Sequence, residues 1–422
     1  TTISTLGGSS FGLNITQDSV IQGNRLKIST HGFRSLGING DAGGTIHLTD
    51  SLITTSSTFA QGIKLNTGST AVLKDTSIET SGAYATGISL GAGTLDATGV
   101  SIVTHAGDSP GIWVGAGGAA NFSEGVIKTI GSYATGIAAQ TSRNLTIDHT
   151  IISTSGNNAR GLMALSGSEI QGDNLTVTTV GYQSYGADAK SQSTIDLTGS
   201  TISTKGELAA GLQASDRGTI NYVDGSIRTE GVHSYGARAD AGGRVTITNS
   251  DVVTANDGAY GLSAGGAGST LVASNVSITT GGTTTSDWLN TSSAVVAEYG
   301  GRLGIDIGTI VTTGNSSMGM LAQSRGTNAF ATTALSGSNL RITTSGDLAH
   351  GVTACSVSST TSQNCTDAAI LPNELIDFTD TPEVTVDLTN SIVNTSGNGS
   401  LGVHVLGTNA HATLTDVDIT TA

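Results

Sequence analysis

Basic residues, aromatics, cysteine and long apolar runs are all scarce in this sequence of 422 residues, and each shortage excludes something. Lys and Arg number 17 against 32 Asp and Glu, giving a net charge of −15. That balance argues against nucleic-acid binding, which needs clustered Lys and Arg. It equally disfavours broad attraction to anionic membranes. No run of 18 or more apolar residues occurs, so no segment spans a bilayer as a helix. No signal peptide is visible. The only two cysteines, Cys355 and Cys365, lie in one irregular stretch with too few other ligands for zinc. They read as one local disulfide clipping a loop in an oxidising compartment. Proline is limited to 3 residues, whereas glycine reaches 60. Such glycine content often means disorder, but here it accompanies 36% hydrophobic residues and a strict period.

The period is the dominant feature. An aliphatic residue, any residue and then threonine recur sixteen times, from Ile3, Ile28, Ile53 and Ile78 to Ile310, Ile342, Val393 and Ile419. Steps are 25 residues with single-residue jitter up to Ile278, then 32, 32, 51 and 26. A solenoid whose coils stack like on like produces this pattern, and a globular core does not. Within residues 202–226, Ile202 and Thr204 alternate with Ser203, Leu212 and Ala214 with Gln213, and Ile220 and Tyr222 with Asn221. Period two in three short runs predicts three strands per coil. The expected fold is all-β: a right-handed three-stranded parallel β-helix of about 16 coils, forming a single domain over 1–422.

Further columns support that reading. An inward aliphatic or Ala column runs through Leu13, Ile38, Ile63 and Ile88, each preceded by a glycine expected to permit a turn conformation. Asp50, Asp75, Asn174, Asp224, Asn249, Asn275, Asn339, Asn390 and Asp416 form a column suited to left-handed turns. The threonine column is expected to hydrogen-bond along the stack. Insertions are expected near 282–298, 325–336 and 353–386, where excursions from a solenoid often carry binding. The chain starts within a repeat and stops at the start of another, so it is expected to be a piece of a longer protein.

Candidate binding residues cluster on the outward side of the second strand. Asp188 and Lys190, Asp216 and Arg217, and Arg238 and Asp240 have matching offsets. They form either a self-neutralising solvated face, a carbohydrate or protein contact, or a catalytic group. Phe59, Tyr84 and Tyr133 share one loop offset, and Tyr185, Tyr235 and Tyr260 another, with Tyr182 and His233 nearby. These rings either line an edge suited to sugars or proteins, or fill the corner of the coil. Trp113 and Trp288 are further exposed candidates, and Phe122 and Tyr222 are expected in the core. Asp367, Glu374, Asp377, Asp380 and Glu383 read as an acidic solvated loop rather than a calcium site. No catalytic motif rises above chance, so no enzyme activity, cofactor or metal is expected.

Repeats such as IETSGAYATGI at 78–88, ISTSGNNARGL at 152–162 and ITTSGDLAHGV at 342–352 resemble those of Gram-negative autotransporter (type V secretion) passenger domains. The likeness is to pertactin-like and self-associating adhesins, and it covers essentially the whole chain. Their signal peptide and C-terminal translocator barrel are absent from this sequence. The resemblance implies an adhesin exported to the bacterial surface, where it attaches to host glycosaminoglycans or matrix proteins such as fibronectin. Its alternative is homotypic self-association promoting aggregation and biofilm, and a polysaccharide-degrading enzyme stands behind both. In the glycan reading, Lys190, Arg217 and Arg238 make the contacts, aided by tyrosines.

Overall fold

The computed structural model describes residues 1–142, 144–283, 292–325, 331–357 and 381–422. Strands and turns account for the described residues, with no helix among them. The chain is a right-handed parallel β-solenoid of about 15 turns. The sixteenth repeat start, Ile419, lies in the strand Ala410–Thr421 and has no second strand after it among the described residues. Two compact units divide the chain, Thr1–Lys205 and Gly206–Ala422.

In the first unit each coil holds three short strands, as the alternation predicts. One coil comprises Leu52–Thr55, Ile63–Leu65 and Thr70–Lys74. Each strand pairs in parallel with its equivalent in the next coil: Ile53 with Ile78, Ile63 with Ile88, and Leu73 with Ala97. Ile53, Ile63, Leu65 and Leu73 point inward and are buried, as are equivalents in neighbouring coils such as Ile78, Ile88, Leu90 and Ala97. Because side chains alternate with period two, a register shift of one residue would turn every core column outward.

The second unit departs from three separate strands. From Arg244 onward, the third strand of one coil and the first of the next fuse into single strands, such as Arg244–Thr254, Thr270–Thr280 and Arg302–Thr312. The junction residues Asn249, Asn275 and Ile307 have φ of 50°, 52° and 59°. One left-handed residue bends the strand as a bulge does, and pairing survives on both sides. All nine Asp and Asn residues of this column have φ between 48° and 56°, as expected of a turn column. The expected insertions are partly regular coil. Ser293–Glu298, Thr333–Thr344, Val352–Val357 and Val384–Thr395 are ladder strands.

Two columns work by a different mechanism from the one expected. The glycine before each second strand does not adopt a left-handed conformation. It leaves room for close approach. A Cβ on Gly87 would sit 2.4 Å from Ile102 Cγ2 and 2.6 Å from the carbonyl oxygen of Gly111 in the next coil. A second glycine column has the same cause, since a Cβ on Gly82 would lie far inside van der Waals contact with the Ser57 carbonyl. The buried threonines mostly bond within their own coil rather than along the stack. Thr80 Oγ1 donates to Ala85 O at 2.6 Å and Thr129 Oγ1 to Ala134 O at 2.6 Å, closing the turn between the first and second strands. Only Thr254 to Thr280, at 3.1 Å, runs from coil to coil among these bonds.

Phe122 and Tyr222 are core residues, as expected. Tyr222 donates its hydroxyl to Ser226 O at 2.8 Å, and burial holds that hydroxyl protonated far above its usual range. Cys355 is buried and carries no free thiol. Cys365, Trp288, Asp367, Glu374, Asp377 and Asp380 lie outside the described residues.

Candidate functional site

The turn between the first and second strands places one residue, four after the column threonine, at its tip. That residue is left-handed: φ is 56° at Arg34, 58° at Phe59, 57° at Tyr84 and 59° at Tyr133. Bulky L-residues in this region cost roughly 1–2 kcal/mol each. Glycine, which avoids that cost, holds the tip at Gly258 and Gly399. Phe59, Tyr84 and Tyr133 therefore face solvent instead of filling the corner, with 41%, 49% and 57% exposure. Phe59 and Tyr84 stack at 5.0 Å and 13° between planes, and exposed Phe33 meets Phe59 edge-on at 5.9 Å. The Arg34 guanidinium lies 5.1 Å from the Phe33 ring and 5.7 Å from Phe59.

The six charged residues expected as one patch fall in different units. In the first unit Asp188 sits on the outward side of its strand, between core residues Ala187 and Ala189, yet it is fully buried. Its Oδ2 accepts from Arg160 Nε at 3.2 Å and pairs with Lys190 Nζ at 3.1 Å. Burial pushes its carboxyl above the usual range, against the pull of both cations. The correction to the expected solvent-facing aspartate follows from long side chains reaching across coils. Arg160, which the offsets missed, belongs to the column immediately before the glycines, as does Tyr185, whose ring its guanidinium overlies at 5.3 Å. Tyr182 is exposed. Trp113 is half-buried on its outward position, its ring lying against Gly115.

In the second unit Arg238 Nη2 pairs with Asp240 Oδ2 at 2.8 Å, and its guanidinium lies 4.8 Å from the Tyr235 ring. Tyr235 meets Tyr260 edge-on at 5.4 Å. Tyr260 is not on an exposed edge: it is buried with Val296, Met318, Leu321 and Val357. Contrary to expectation, Asp216 and Arg217 do not lie on the second strand, which ends at Ala214 and pairs Gln213 with Arg238. They are exposed residues of the left-handed turn after it, and His233 is a half-buried tip residue. A groove of about 680 Å³ follows the bulge column, lined in part by Asn249, Asn275, Ile307, Asn339, Arg341 and Asn390. Its amides bond to one another and to acids, with Asn275 Nδ2 donating to Asn249 Oδ1 at 2.9 Å and Asn249 Nδ2 to Asp224 Oδ1 at 3.0 Å. Hydrogen bonds from Ser338 and Asn339 hold the Asp306 carboxyl below its usual range.

A pair of histidines in the same unit makes stability depend on pH. Buried His350 meets His404 at 4.9 Å and accepts a hydrogen bond from Leu401 N at Nδ1. Burial, reinforced by His404, pulls His350 from 6.5 down to about 4. The unfolded chain therefore binds more protons below pH 6.5, and stability present above that value is lost as pH falls towards 4. Between pH 7.5 and 4.5 this amounts to about 2–3 kcal/mol. Thermal melts of wild type and His350→Leu, the residue at the same offset in Leu401, should show a much flatter pH response in the variant.

No protein-family model matches the chain, and no curated protein does. Among solved structures, Vag8 in the cryo-EM structure of the Vag8–C1 inhibitor complex is 15% identical, with 99% of each chain covered and a TM-score of 0.55. The Azotobacter vinelandii mannuronan C-5 epimerase AlgE4 A-module is 14% identical over 89% of this chain and 87% of that one, with a TM-score of 0.37. The periplasmic alginate epimerase AlgG is 10% identical over 92% and 77%, with a TM-score of 0.33. The first of these shares the β-helix fold with this chain along its whole length.

Proposed function

We propose that this chain is a non-enzymatic adhesin of the autotransporter passenger type, exported to the bacterial surface and binding an extended host ligand along a lateral face. The observation that carries this reading is the set of exposed aromatic tips, Phe59, Tyr84 and Tyr133, held in left-handed backbone where glycine would fit without strain. Rings kept exposed against such a cost are contact residues. Repetition supplies the rest: weak contacts on equivalent positions of successive coils sum to useful avidity with an extended polymer. The β-helix shared with Vag8, solved in complex with the protein C1 inhibitor, supports a binding role. The catalytic alternative loses ground because Asp188, one of its three candidate carboxylates, is buried between two cations. The cations Lys190 and Arg238 are each engaged by an aspartate, which moves the expected ligand contacts towards the aromatic tips.

The test is adhesion of beads coated with the chain to immobilised matrix proteins and glycosaminoglycans. Wild-type beads should adhere, and the triple replacement Phe59→Gly, Tyr84→Gly, Tyr133→Gly should lose at least tenfold in retention while melting no lower than wild type. Clumping of beads without any ligand would favour self-association instead. Full retention by the triple variant would sink the aromatic-tip reading.

A further inference from the structure

We propose that a cleft between two adjacent coils of the first unit is a subsite for a carboxylate-bearing sugar residue of a host glycan. The inference rests on the adhesin reading and names its ligand chemistry. The cleft holds about 270 Å³ and is lined by Arg34, Leu36, Phe59, Gln61 and Lys64. That volume lies just under the ~300 Å³ at which pockets for drug-sized ligands begin, a fit for a single ring. Its construction follows from the repeat: Arg34 and Phe59 are tip residues of consecutive coils, and Leu36 and Gln61 share the next offset but one. Lys64 comes from the outward side of the strand Ile63–Leu65.

Three features point to an acidic sugar. The first is charge. In a chain of net charge −15, neither Arg34 nor Lys64 forms an ion pair among the described residues. Arg34 instead rests on the rings of Phe33 and Phe59, leaving its fork of donors for a carboxylate. The second is Gln61, a lining residue of the cleft whose side-chain amide can both donate to and accept from a sugar hydroxyl. The third is the apolar wall of Leu36 and Phe59, which suits the C–H face of a pyranose. A free carboxylate lacking a ring would leave that wall and Gln61 unused.

Calorimetric titration of the full chain tests this with four probes: hyaluronan oligosaccharide, the same oligosaccharide with its carboxyls reduced to alcohols, a polysialic acid oligomer and dextran sulfate. The first and third separate uronate from sialate as the source of the carboxylate. At least one of these two should bind wild type, and doubling the salt should weaken it. The double variant Arg34→Gln, Lys64→Gln should lose tenfold or more with an unchanged melting temperature. Gln61→Leu, which fills the cleft wall without an acceptor, should lose severalfold. Carboxyl reduction should cost as much as the double variant.

Equal binding by the double variant, or equally tight binding of dextran sulfate, would overturn the proposal. So would failure of both acidic sugars while the coated beads still adhere to matrix, and in that case the adhesin reading stands without this subsite. Beads that do not adhere to any matrix or glycan would remove the adhesin reading itself.

Discussion

Replacing Gly87 by alanine is expected to lower the stability of the first unit by about 3 kcal/mol, the upper part of the usual range for overpacking. The added Cβ would meet Ile102 Cγ2 at 2.4 Å and Gly111 O at 2.6 Å. Neither can yield cheaply. The carbonyl belongs to the ladder, where Ile88 N donates to Gly111 O at 2.9 Å, and the isoleucine is a core residue with no exposed surface. Relief must therefore come from separating two coils, which breaks the hydrogen bonds that stack them. Gly91→Ala in the same coil is the control, because its nearest neighbours would be 3.6 Å away. It should change stability by no more than about 0.5 kcal/mol. Chemical denaturation of both variants measures the difference, and equal effects would refute close approach as the cause of the glycine column.

The second large effect concerns Asp188. Replacing Arg160 by Leu and Lys190 by Met together leaves a fully buried carboxylate without its cations, and the expected loss at pH 7 is about 3–5 kcal/mol. Burial already raises this carboxyl, and removing both cations raises it further. The folded variant then binds a proton that the unfolded chain releases above 3.8, so its stability recovers as pH falls. The deficit against wild type should thus be large at pH 7 and small at pH 4.5. Asp188→Asn should cost less, about 1–2 kcal/mol, because Arg160 and Lys190 keep 18% and 33% of their side chains in water. A deficit independent of pH would show that lost packing, not an unpaired charge, is responsible.

The candidate site was legible only in part. Offsets alone placed Phe59, Tyr84 and Tyr133 in one column, and the structure confirms that they occupy equivalent tips. They could not distinguish a tip that faces water from one that fills a corner. Tyr235 and Tyr260 share an offset too, yet the first is half-buried and the second is enclosed by Val296, Met318 and Leu321. Arg34, Gln61 and Lys64 carry no common sequence signal, because each belongs to a different residue type and column. Only adjacent columns taken together, across two coils, group them.

The winding was fixed one-dimensionally. In a parallel, in-register stack, each residue's neighbour is its equivalent one period away, so a period of 25 is already a list of contacts. That is why the core columns, the left-handed Asp and Asn column and the solenoid itself follow from spacing. Tertiary structure alone decided what the outward side chains do and why the glycines are there. Long side chains such as Arg160 and Lys190 reach across offsets to bury an aspartate, and interatomic distances between coils leave no trace in the period.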